Sequence, residues 1–102
     1  MANYVFIESR NPFDMGTAVD LKKKGHTVTV FLVQNGVLGA RRLAAPSQVP
    51  EIVESGVTVL ADNFSLQERG ISIDECAPGL RAGTMDHLID LIVQENTKSV
   101  WL

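Results

Sequence analysis

One cysteine in 102 residues leaves no partner for an internal disulfide. The two histidines beside it are too few for a metal-ligand cluster, so neither a metal nor another cofactor is expected. Long hydrophobic runs are also missing: the apolar stretches are short, bounded by polar residues and unable to span a bilayer. The opening MANYVFIESR lacks the basic segment, long apolar stretch and small-residue cleavage site of a signal peptide, which makes the cytoplasm the expected location. Basic side chains are the scarcer charge, nine against twelve acidic, for a net charge of -3. That balance argues against nucleic acid or an anionic membrane as a partner. Standard catalytic signatures are absent too: no GxGxxG follows a strand, and GxxxxGK(S/T), GxSxG and HExxH do not occur.

What is present is an ordinary globular balance, 45% hydrophobic and 21% charged. The length suits one domain over residues 1–102 and is too short for two. Tyr4 to Ile7 reads as a short buried strand. His26 to Val33 is stronger, with Val28, Val30 and Leu32 alternating with Thr27, Thr29 and Phe31. Val57 to Ala61 supplies a third strand and Ser99 to Leu102 a last one. Runs this apolar suit a parallel sheet covered on both faces.

Helices are expected between them. Asn11-Pro12 offers an N-cap and a first-turn proline, and Gly25 a left-handed stop after Lys22, Lys23 and Lys24. The helix dipole favours cations there, which accounts for the lysines without a phosphate. Ser47 to Ser55, closed by Gly56, gives a second helix. Ser72 to Glu75 has capping-box spacing for a short one ended by Pro78-Gly79. After Thr84, Met85, Leu88, Ile89 and Ile92 recur at helical spacing as one apolar stripe, leaving Asp86, His87, Asp90 and Glu95 outside it. His87 is then a solvated surface residue. The fold class is α/β, strands and helices alternating.

In open parallel sheets, ligands gather beyond the carboxyl ends of the strands. Four such places are legible: Ser9-Arg10-Asn11, Gln34-Asn35-Gly36, Asp62-Asn63, and the stretch from Arg81 to Thr84 before the last helix. Arg10, Asn35, Asp62 and Asn63 are candidates for one shared rim. Gly36 and Gly39 fit neither phosphate-loop pattern and are expected to permit a tight turn and close packing. Arg41 and Arg42 can hold an anion or an acidic partner, but a solvated helix end is the simpler account.

Three segments carry a family likeness. TVTVFLVQNGVLGARR resembles the second strand and following turn of the DsrE/DsrF/DsrH-like sulfur-relay proteins, which include TusB, TusC and TusD. GVTVLADNFSLQERGI is similar to their third strand and next helix, and RGISIDECAPGLRAGTMDHLIDLIVQENTKSVWL to their closing pattern. The resemblance implies a mostly parallel three-layer sheet, flavodoxin-like or Rossmann-like, assembling into trimers or hexamers with itself or with related subunits. It implies sulfur-carrier proteins as partners, and a sulfurtransferase-like activity at most. Active members carry a persulfide on a cysteine just after the third strand. Aligned on that pattern, Asp62 occupies the cysteine's place, and a carboxylate holds no sulfane sulfur.

Asp62 or Asn63 instead suits the N-cap of the following helix. Cys76, the remaining thiol, falls where relatives have an apolar anchor, next to Asp74 and Glu75, whose charges oppose a thiolate. The leading expectation is a non-catalytic sulfur-relay member acting through protein contacts. The alternatives are a small-molecule or nucleotide module using the rim, a sulfur carrier through Cys76, and a structural oligomer component using Phe64 and Trp101 between subunits.

Overall fold

Strands that run parallel must be joined by crossovers, and the chain alternates accordingly. The computed structural model describes residues 2–10, 15–41 and 49–102. Strands β1 (Asn3–Glu8), β2 (Thr27–Leu32), β3 (Thr58–Asp62), β4 (Arg81–Gly83) and β5 (Thr97–Trp101) form one sheet in the order β4-β3-β2-β1-β5. Every pairing is parallel. Between the strands lie α1 (Gly16–Lys23), α2 (Val49–Glu54), α3 (Asn63–Glu68) and α4 (Met85–Ile92), with 3-10 helices at Gln34–Ala40 and Ile73–Glu75.

Strand register sorts side chains into two rows. Val100, Phe6, Val30 and Val59 line up on one face. There they join a core with Ala18 of α1, Val49 and Ile52 of α2 and Leu66 of α3. Trp101, Ile7, Phe31 and Leu60 line up on the other. On this face Val5, Ile7, Phe31 and Leu60 pack against Leu88 of α4, with Leu91 and Ile92 at its margin. Among the described residues three α-helices thus cover one face and a single α-helix the other. Burying Leu88 contributes about 2 kcal/mol to that second core. Among the described residues no helix is long and apolar enough to cross a membrane.

Several expectations hold to within a residue or two. The first three expected strands match β1, β2 and β3, Gly25 closes α1 at φ 93°, and Thr84 caps α4 by accepting the His87 N–H. Ser72 and Glu75 form the expected capping box, although the 3-10 turn stops at Glu75, before Pro78. The last strand starts two residues earlier than expected, at Thr97. Asn11-Pro12, Arg42 and Ser47 lie outside the described residues.

Two expectations are corrected. Arg81–Gly83 is not a loop but a fourth parallel strand against β3. Its Arg-Ala-Gly carries no alternation or β-branching, so only the ladder itself reveals it. The apolar stripe of α4 is only partly core: Leu88 is buried, while Met85 and Ile89 are half exposed.

Gly36 is buried at a place where a Cβ would run into the Glu8 carbonyl, so the expected close packing is a backbone contact between the Gln34–Ala40 turn and the end of β1. Gly36→Ala is therefore expected to destabilise the protein by about 2 kcal/mol or more, read from the shift in its urea midpoint.

Candidate functional site

The carboxyl end of β3 runs directly into α3, and Asp62 is the hinge between them. Its extended backbone (φ -62°, ψ 120°) leaves the carboxylate above the first helical turn. There Oδ2 accepts the Ser65 N–H at 3.0 Å and the Ser65 hydroxyl at 2.7 Å. Ser65 Oγ in turn accepts the Gln34 N–H at 2.9 Å. Gln34 adopts φ 50°, an uncommon conformation for a residue with a side chain, and this bond helps hold it. Asp62 is only 5% exposed, so the network works where water competes poorly.

A second tie runs alongside. Arg69 donates from Nε and Nη2 to Asn35 Oδ1, at 3.3 and 3.1 Å, and from Nη1 to the Ser65 carbonyl. Together the two ties clamp the Gln34–Ala40 turn onto α3.

Beside Asp62 a cleft of about 350 Å³ opens between the first turns of α3 and α4, lined by Asp62, Asn63, Phe64, Gln67, Thr84 and Met85. The structure thus brings two of the four rim candidates together. Asn35 is held by Arg69, and Arg10 sits beyond β1, so neither lines the cleft. The cleft offers a carboxylate, two carboxamides, a hydroxyl and a thioether, but no thiol or imidazole. His87 is exposed, as expected, and does not line it. Among the described residues no group of His, Cys, Asp and Glu could hold a metal ion.

The chain can now be set beside known proteins. A profile of the DsrE/DsrF-like family matches residues 4–97. The chain belongs to that family. Among solved structures, the ychN protein of E. coli superposes with a TM-score of 0.84 at 19% identity, covering all of both chains. MTH1491 of Methanobacterium thermoautotrophicum, titled a protein of unknown function, gives 0.76 at 18%, again over all of both chains. At such identities the likeness speaks for the fold. No curated protein matches significantly.

In this DsrE/DsrF-like chain Cys76 lies away from the cleft. It ends the Ser72-capped turn, where its backbone bridges Arg41 and its thiol donates to the Ser72 carbonyl at 3.7 Å. The side chain is buried in the core of the three-helix face. Burial, and then the neighbouring Glu75 charge, push the thiol above its ordinary value of 9.0. Arg41 is exposed, with Nε on the Leu38 carbonyl.

One carboxylate escaped the sequence reading. Glu8, the last residue of β1, is 1% exposed, and its Oε1 accepts the Arg10 N–H at 2.9 Å with Arg10 Nε at 3.6 Å. An acidic residue continuing the Tyr4 to Ile7 run was the available signal: at strand period it falls on the inward face with Phe6.

Two outcomes follow. Asp62→Ala removes the cap and strands the Ser65 hydroxyl, and is expected to cost about 1–2 kcal/mol in a denaturation curve, with Asp62→Asn losing less because its amide oxygen still accepts. Alkylation of native Cys76 at about pH 8 is expected to be about tenfold slower, or more, than in the unfolded chain. Because folding favours the neutral thiol, the stability Cys76 contributes is complete below 9.0 and declines as pH rises beyond it.

Proposed function

We propose that this chain is a cytoplasmic accessory member of a sulfur relay, one that supports carrier proteins through contacts and does not itself bear sulfur. The observation that carries the reading is the state of Asp62. The resemblance puts a persulfide cysteine just after the third strand. Here that place holds a buried carboxylate with Oδ2 engaged by Ser65. Carboxylate oxygen forms no stable bond to sulfane sulfur, so the position serves the fold. The remaining thiol is poorly suited to replace it, being buried and biased toward its neutral form.

Protein contact is favoured by what surrounds the cleft. Phe64 and Met85 flank it, the first largely exposed and the second half exposed, although both are apolar. Aromatic and methionine side chains of this kind are enriched in the centres of protein interfaces. A loop from a carrier protein can lay an apolar side chain between them, with Asn63 and Gln67 at hand for its backbone. This favours a protein partner over a nucleotide, because the lining includes no cation to meet a phosphate.

Intact-mass spectrometry after incubation with a persulfide donor tests the reading. The native protein is expected to gain no sulfur. In Asp62→Cys the new thiolate can accept the Ser65 hydrogen bonds now made to the carboxylate, and one sulfur is expected to transfer as the donor leaves as its thiol. A stable one-sulfur adduct on Cys76 of the native protein would sink the accessory reading in favour of a carrier.

A further inference from the structure

A second recess lies at the end of the sheet opposite the Asp62 cleft. It encloses about 470 Å³, and Tyr4, His26, Gln94, Asn96 and Lys98 are among its lining residues. Tyr4 and Lys98 are the second residues of β1 and β5, and His26 immediately precedes β2. Gln94 and Asn96 belong to the turn that carries the chain from α4 into β5. A space of this size suits a small organic ligand better than an inorganic ion alone.

The register Tyr4↔Lys98 sets these two side chains next to each other on the three-helix face. Lys98 Nζ stands 5.8 Å from the centre of the Tyr4 ring. That ring is itself held in place, stacked on Phe6 at 6.5 Å and meeting His26 edge-on at 5.1 Å. His26 Nδ1 accepts the Ala2 N–H at 3.1 Å. A ring nitrogen that accepts carries no proton, so neutral His26 keeps its proton on Nε2 and offers it as a donor.

The formal charge of this lining has one sign. Among the described residues no carboxylate lines the recess, and none pairs with Lys98, which is exposed. Glu95 is exposed and does not line it. The other three lysines, Lys22, Lys23 and Lys24, close α1 at this same end of the sheet. A chain of net charge -3 thus gathers its ammonium groups around the amino ends of its strands. The Asp62 cleft has the opposite character, with a carboxylate and no cation.

We propose that this recess binds a small organic anion. Its oxyanion head, a phosphate or a carboxylate, meets the Lys98 ammonium and the His26 Nε2–H, and its flat body lies against the Tyr4 ring. Charge-assisted hydrogen bonds hold such a head, and a fixed aromatic wall favours a planar body. A cation–π contact at an exposed site is weak, so Lys98 is free to turn from the ring to the anion. Gln94 and Asn96 offer carboxamides to the polar edges of the body. The proposal does not rest on the accessory reading.

Titration of the full chain, followed by heteronuclear NMR, tests it with adenosine monophosphate, a probe that joins a phosphate to a flat ring. Binding is expected with a dissociation constant between about 10 µM and 1 mM, with shifts at the Tyr4, His26 and Lys98 amides. Adenosine and inorganic phosphate, each one part of that probe, are expected to bind at least about tenfold more weakly. The corresponding adenosine carboxylate separates the two heads: tighter binding than the monophosphate assigns a carboxylate, weaker binding a phosphate, and either supports the site. Lys98→Gln, at an exposed position, is expected to raise the dissociation constant about tenfold or more. An affinity indifferent to Lys98→Gln, or shifts confined to Asn63, Phe64 and Met85, would overturn the proposal. So would the absence of binding by both anions up to about 5 mM.

Discussion

Unequal coverage of the sheet is the constraint on which the rest of this molecule depends. Five parallel strands present a surface about 20 Å wide, and both faces must be shielded from water. The crossovers joining β1 to β2, β2 to β3 and β3 to β4 progress in one direction and leave their helices on one face. Among the described residues only the connection from β4 back across to β5 reaches the other face, and it supplies eight residues of helix, about 12 Å. A rod of that length shelters Val5, Ile7, Phe31 and Leu60 but leaves both ends of its own face thinly covered. Phe64 and Met85 remain exposed near one margin and Trp101 and Val93 near the other. The exposed apolar groups are thus a consequence of chain routing.

The same routing explains why Asp62 matters. Helix α3 has only six residues, too few to persist on local hydrogen bonding. It is held by Leu66 in the core and by a carboxylate that gathers the Ser65 amide and hydroxyl, which in turn secures Gln34. A thiolate here would be a larger and softer acceptor, suited to bonding sulfur but weaker at drawing the turn of Gln34–Ala40 against α3. The carboxylate's work that the structure shows is anchoring.

How much of this was readable beforehand depended on how local the information is. The alternation at Val28, Val30 and Leu32, the Thr84 cap and the Ser72–Glu75 capping box are written in neighbouring residues, and each stands where expected. Asp62 as a cap was legible for the same reason. The Arg81–Gly83 strand was not, because three residues without β-branching become a strand only when β3 is beside them. Of the expected rim of Arg10, Asn35, Asp62 and Asn63, the structure sets Asp62 and Asn63 side by side at one cleft. Strand ends are implied by pattern, but Asn35 is drawn away by Arg69, a contact 34 residues distant. Glu8 and the half-exposed stripe of α4 depend likewise on which face is crowded, a property of the assembled sheet.

The two margins of the α4 face are well separated. The cleft lies at the carboxyl ends of β3 and β4, whereas β5 forms the opposite edge, three strand spacings from β3. A contact at one margin therefore leaves the other free.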